Sequence, residues 1–337
     1  MLKTKFCELF GIEYPIVSAG MGGVALANLA GAVSEAGGMG TIALAGFPPE
    51  AISNEIGAAR KLTSKPIVVN LLIPFLRPGV FELLAKQPIS AVTLFWGDPA
   101  EHIPVCKKLG LKVIWQCGSA AEASAAKRAG ADAIIAQGFE AGGHVRGTVT
   151  TLALIPEVRD AIGDLPMIAA GGIADGRGLA AVLALGADGA AFGTRFLASE
   201  ESSAHPIFKR RLLTAHASET VLTKLYDVGW PDAAHRVIRT KVVEEWENAG
   251  RPEPGKRPGE GQSIGMMRGR GVDAPLVKYA VNTPADYIEG DVESLPFYAG
   301  ESVSLVREIL PAKEIVRRIV EEARAVISGR LAPLARD

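Results

Sequence analysis

Residues 137–147 read QGFEAGGHVRG, placing one imidazole, His144, among four glycines. Glycine in loops carries an entropy cost on folding, so this density marks a place where something approaches the main chain closely. A histidine of ordinary pKa, about 6.5, can hydrogen-bond an anion or take a proton from carbon near neutral pH. Further along, Gly171, Gly172, Gly193 and Thr194 offer backbone N–H donors and room, the two requirements of a phosphate site. Ala19, Gly20, Met21 and Asn70, with Gln116 and Gln137, can line a flat ring through main-chain and amide contacts. Taken together, the set suits flavin mononucleotide (FMN). Taken singly, Asn70 reads equally well as a turn-forming strand end, and Gln116 as a satisfied polar side chain near the core.

These residues share a position. Short apolar runs recur with helix-length segments between them, the rhythm of repeated strand–helix units and a parallel sheet. The runs are PIVSAG from Pro15, GTIALAG from Gly40, PIVVN from Pro66, AVTLFW from Ala91, KVIWQC from Lys112, DAIIAQG from Asp132, PMIAAGG from Pro166 and GAAFGT from Gly189. Eight such strands close a (β/α)8 barrel, an α/β fold, and its chemistry sits at the C-terminal strand ends, where the residues above fall. An open, doubly wound sheet is the rival, because GMGGVA from Gly20 matches a dinucleotide fingerprint. The acidic residue that motif wants after the second strand is missing from LAGFPPE. The TIM barrel is expected over residues 1–202 plus 292–337. Residues 203–291 read as a smaller, inserted helical subdomain whose Pro/Gly-rich basic stretch Arg251–Gly271 suggests a mobile loop; whether it closes as a lid stays open. The final helix carries a stripe of Ile315, Ile319, Ala323 and Ile327 suited to docking on the barrel.

Composition narrows the function classes. The 337 residues are 48% hydrophobic and 22% charged with a net charge of -1, so there is no electrostatic case for a nucleic-acid partner. Cys7, Cys106 and Cys117 are few and widely spaced, which fits reduced thiols in a cytoplasmic protein; no Cys/His cluster suggests a metal. No run of eighteen apolar residues suggests a membrane span. Cys117 reads as site lining rather than a nucleophile, His205 as a helix start, and His102, His216 and His235 as solvated helix faces.

The stretches AAGGIADGRGLAAVLALGADGAAFGTRFLASEES and QGFEAGGHVRG, with YPIVSAGMGGVALANLAGAVSEAGGMGTI and FYAGESVSLV, resemble the nitronate monooxygenase family. The motifs are shared with flavin-dependent enoyl-acyl-carrier-protein reductases and NADH:quinone reductases. The resemblance implies a TIM barrel holding FMN, with the phosphate at Gly172, Gly193 and Thr194 and the ring near Gly20, Met21 and Asn70. It implies His144 as the catalytic residue, with Gly142 and Gly143 letting ring and substrate pack on its loop. Tyr298 and Ser302 are expected to touch substrate. The implied activity is oxidation of an alkyl nitronate by dioxygen to a carbonyl compound and nitrite. An NAD(P)H-dependent reductase of enoyl thioesters or quinones, or a noncatalytic flavin-binding protein, stand as alternatives; whether the chain forms a homodimer stays open.

Overall fold

All eight apolar runs become parallel strands: β1 (Ile16–Ser18), β2 (Gly40–Ala43), β3 (Ile67–Leu72), β4 (Ala91–Phe95), β5 (Val113–Cys117), β6 (Ala133–Gln137), β7 (Met167–Ala170) and β8 (Gly189–Phe192). The computed structural model describes residues 2–269 and 273–334, so Arg270 and Gly271 of the expected mobile loop lie outside the described residues. Each strand pairs in parallel with its sequence neighbour from β2 through β8, and β8 pairs with β1. The ring closes where Met39 donates to the Ile16 carbonyl at 2.8 Å and accepts from Ser18 at 3.0 Å. An open sheet is thereby excluded.

Strand periodicity fixes what points inward. Side chains two apart share a face, so Val68, Ala91, Ile114, Ile135, Ile168 and Ala191 form the interior packing layer. The short helix Lys5–Phe10 closes this layer from below with Phe6 and Phe10, both buried. Two residues further up the same strands come Asn70, Thr93, Gln116, Gln137 and Gly193, the polar upper layer facing the cavity. Cys117 alternates to the other face. It is fully buried in the strand–helix layer, its Sγ near the Ile135 carbonyl, so it does not line the cavity as expected. Burial pushes its thiol up to about 12.

The last helix, Ala312–Val326, docks as its stripe predicts, with Ile315, Ile319 and Ala323 buried. Gly176 permits that docking, since a Cβ there would collide with the Ile319 carbonyl and the Ala323 amide. Residues 203–291 are less helical than their composition suggests. Helices Pro206–Thr214 and Lys241–Asn248 are present, but the segment also contributes to two small antiparallel sheets. One joins Thr220–Thr223 and His235–Ile238 to Gly143–His144 of the barrel; the other joins Ser263–Met267 to Ala274–Val277 and Ile288–Gly290. The strands were hidden because HRVIRT carries its two arginines three residues apart, a helical spacing, and runs into a true amphipathic helix.

Part of the basic stretch is interior structure. Arg257 is buried, donates to Asp227 at 2.7 Å and to the Leu225 carbonyl at 2.8 Å, pairs with Glu260, and lies over the Tyr279 ring. It anchors the turn that brings Trp230 to the cavity. Removing one partner of a buried pair strands the other. Arg257→Met should therefore lower unfolding stability by about 3 kcal/mol in urea titrations, and Arg257→Met with Asp227→Leu should recover part of that loss.

Candidate active site

The loop after β6 lies main chain against main chain. A Cβ on Gly142 would strike the backbone of Ala299 and Gly300; one on Gly147 would strike Gly118, and the reverse also holds. Most of the glycines around His144 are thus required by neighbouring backbone, not by a visiting ring. Gly143 is different, with φ of 71° and open space where a Cβ would go. The inserted segment fixes the same loop. His235 and Arg236 pair with His144 and Gly143, Val145 donates to the Ala234 carbonyl at 2.9 Å, and the Arg236 guanidinium donates to the Phe139 carbonyl at 3.0 Å. Glu140 accepts from the Thr151 amide at 2.8 Å, so it caps the next helix and does not orient His144.

His144 sits in an aromatic box. Trp230 stacks on its ring at 4.0 Å between centroids and 26° between planes; Trp96 approaches at 6.0 Å, His235 at 5.2 Å and Tyr298 at 5.6 Å. Its Nε2 is buried without a hydrogen-bond partner. Burial, and then His235, push its pKa down to about 3, so the imidazole is neutral at physiological pH. His235 is itself fully buried. Its Nε2 accepts from the Tyr226 amide at 3.3 Å, which makes Nδ1 the protonated nitrogen facing the Ala233 carbonyl at 2.8 Å. Burial lowers its pKa to about 4.

One cavity of about 460 Å³ opens at the C-terminal strand ends. Of the lining residues expected from the sequence, all but Cys117 are found there: Ala19, Gly20, Met21, Asn70, Gln116, Gln137, Gly142, Gly143, His144, Gly171, Gly172, Gly193, Thr194, Tyr298 and Ser302. The donor set fits a flavin nucleotide. Gln137 spends its N–H on the His144 carbonyl at 3.1 Å and keeps a buried, unpartnered Oε1 as acceptor. Gly171 and Gly172 have φ of 96° and 72°, left-handed backbone that favours glycine and keeps this stretch of cavity wall free of side chains. Thr194 Oγ1 accepts from the Gly300 amide at 3.0 Å, leaving its own hydrogen to donate. The longer helix Gly176–Ala184 is no phosphate seat, because Asp175 and Glu322 already cap its amides.

The sequence reading missed Trp96, Trp230 and His235. Trp96 sits at φ of 69°, a left-handed conformation rare for a bulky residue and a mark of a constrained site. Tyr298, expected to touch substrate, donates its hydroxyl to the Val281 carbonyl at 2.9 Å, which leaves its ring to face the cavity. His205 does start a helix, its Nδ1 accepting from the Ile207 amide at 3.3 Å.

Comparison with known proteins bears on this geometry. The family model for nitronate monooxygenase matches residues 3–79 and 77–322. The chain belongs to the nitronate monooxygenase family. That family is one of flavoproteins, and the chain is an oxidoreductase. It is 35% identical to the (3aS,4S,5R,7aS)-5-hydroxy-7a-methyl-1-oxo-octahydro-1H-indene-4-carboxyl-CoA dehydrogenase of Mycobacterium tuberculosis, over 96% of each chain. It is 30% identical to a probable nitronate monooxygenase of Staphylococcus aureus, over 96% of this chain and 98% of that one. The structure of FabK from Thermotoga maritima superposes with a TM-score of 0.83 at 34% identity, covering 99% of this chain and 100% of the other. A nitroalkane oxidase from Streptomyces ansochromogenes gives 0.76 at 29%, over 96% and 99%. Among the described residues no helix is long and apolar enough to cross a membrane.

His144, half-buried in the cavity wall, and the fully buried His235 make stability pH-dependent. Unfolded, each holds a proton below its ordinary pKa of about 6.5; folded, they do so only below about 3 and about 4. Unfolding therefore takes up protons below about pH 6.5, and stability falls as pH drops, by roughly 1.4 kcal/mol per pH unit per histidine. His144→Asn should remove one histidine's share of that acid sensitivity, read from urea midpoints between pH 7 and 5.

Proposed function

We propose that the protein is an FMN-dependent nitronate monooxygenase that converts an alkyl nitronate and dioxygen to a carbonyl compound and nitrite. The observation that carries this reading is the neutral His144, its Nε2 buried and unpartnered beside a set of donors suited to a flavin. A group with its pKa near 3 is a weak base toward a neutral nitroalkane, but its uncharged ring can hydrogen-bond an anion. Substrate on this account arrives already ionised, as the nitronate. Gly171, Gly172, Gly193 and Thr194 would hold the FMN phosphate, and Ala19, Gly20, Met21, Asn70 and Gln116 the ring. Gln137 Oε1 would accept from the ring's edge, with Gly142 and Gly143 forming the loop above it. When bound, the flavin supplies the electron transfer. The protein's own share is to orient the nitronate with His144 and to keep water out with Trp230, Trp96 and Tyr298.

A second reading, oxidation or reduction of an acyl thioester, is favoured by the full-length similarity to the CoA-ester dehydrogenase and to FabK. Anaerobic mixing separates the two. An alkyl nitronate should bleach the yellow protein while NADH alone leaves it unchanged; bleaching by NADH alone rejects the first reading. His144→Ala should keep its flavin and lose about 100-fold or more in turnover, whereas unchanged turnover rejects the role given to His144.

A further inference from the structure

No aspartate, glutamate, lysine or arginine lines the cavity among the described residues. The arginines that stand behind the lining are committed elsewhere. Arg146 pairs with Glu122 at 2.5 Å and lies on Trp96, Arg236 pairs with Glu301 at 3.1 Å, and Arg195 is buried against the carbonyls of Ala198 and Glu308. Facing the barrel mouth, residues 228–288 supply Val228, Trp230, Met267, Val281 and Ile288. Trp230 packs edge-on against Phe75 at 5.0 Å and Trp96 at 4.9 Å, making a continuous aromatic wall beside His144. Asn282, Thr283 and Tyr287 are the polar exceptions, all uncharged, and the Tyr287 hydroxyl donates to the Gly23 carbonyl at 3.0 Å.

From this we infer that Val228, Trp230, Met267, Val281 and Ile288 form a substrate subsite for an uncharged, apolar body, and that it excludes substrates carrying a second anionic group there. A carboxylate in this wall would lose its hydration and meet no cation. Asn282 and Thr283 can hydrogen-bond an ester as well as an acid, so they do not offset the difference. The proposal rests on the nitronate reading for the reacting end of the substrate, but not for its body.

The test compares molecules of one skeleton that differ by one charge: the nitronates of methyl 4-nitrobutanoate and of 4-nitrobutanoate, each assayed for kcat/KM with the flavin-loaded protein. Alongside, methyl cinnamate and cinnamate, which carry no nitro group, are titrated by perturbation of the flavin spectrum. The ester should be preferred by about 100-fold in both pairs. Thr283→Lys, or Met267→Lys on another element, should narrow the gap by about 10-fold. Ester preference in binding without any nitronate turnover would sustain the subsite while removing the proposed reaction. Equal binding of acid and ester would overturn the subsite, whatever the turnover.

Discussion

Main chain resting on main chain around residues 138–147 is the constraint from which the rest of the site follows. Gly142 against Ala299 and Gly300, and Gly147 against Gly118, leave no room for a side chain. The loop is held on one side by the barrel and the returning chain, and on the other by the strand His235–Ile238. His144 has one place to go, into the cavity above the upper layer of Asn70, Gln116 and Gln137. A histidine on a loop free to move would find water or a partner for Nε2; this one is kept from both.

Burial then decides the chemistry available. The aromatic rings around His144 remove water and supply no counter-charge, so its cationic form is disfavoured. His235, locked as the Nδ1-protonated tautomer by two backbone partners, adds bulk and a dipole without charge. The polar work of the cavity falls to amides, hydroxyls and carboxamides. Such groups can cradle a phosphate and a flavin edge, and they are compatible with an anion whose charge is already present on binding.

The barrel was legible because each strand is a short apolar run bounded by glycine or proline, and period-two alternation carries Val68 to Asn70 and Ile114 to Gln116 without further information. The lining residues that stand at strand ends, such as Asn70, Gln116, Gln137 and Gly193, were legible for the same reason. Trp230 and His235 were not. They lie in a segment where charge and local helical composition dominate the signal, while the pairings that place them connect His235 to His144 and Val228 to Ala280 across long stretches of chain. Trp96 was within an identified strand run, but its left-handed backbone is set by the packing around it and leaves no trace in residue type. The expected mobile loop is anchored by Arg257, which pairs with Glu260 three residues on but also with Asp227, a partner too distant along the chain for residue types to reveal.

The protonation of one ring tests the account most directly. In flavin-loaded protein with nitrogen-15 histidine, the imidazole signals of His144, assigned by comparison with His144→Asn, would be followed from pH 8 to pH 5. The account predicts a neutral ring throughout; a titration with a midpoint at the ordinary histidine pKa would contradict it.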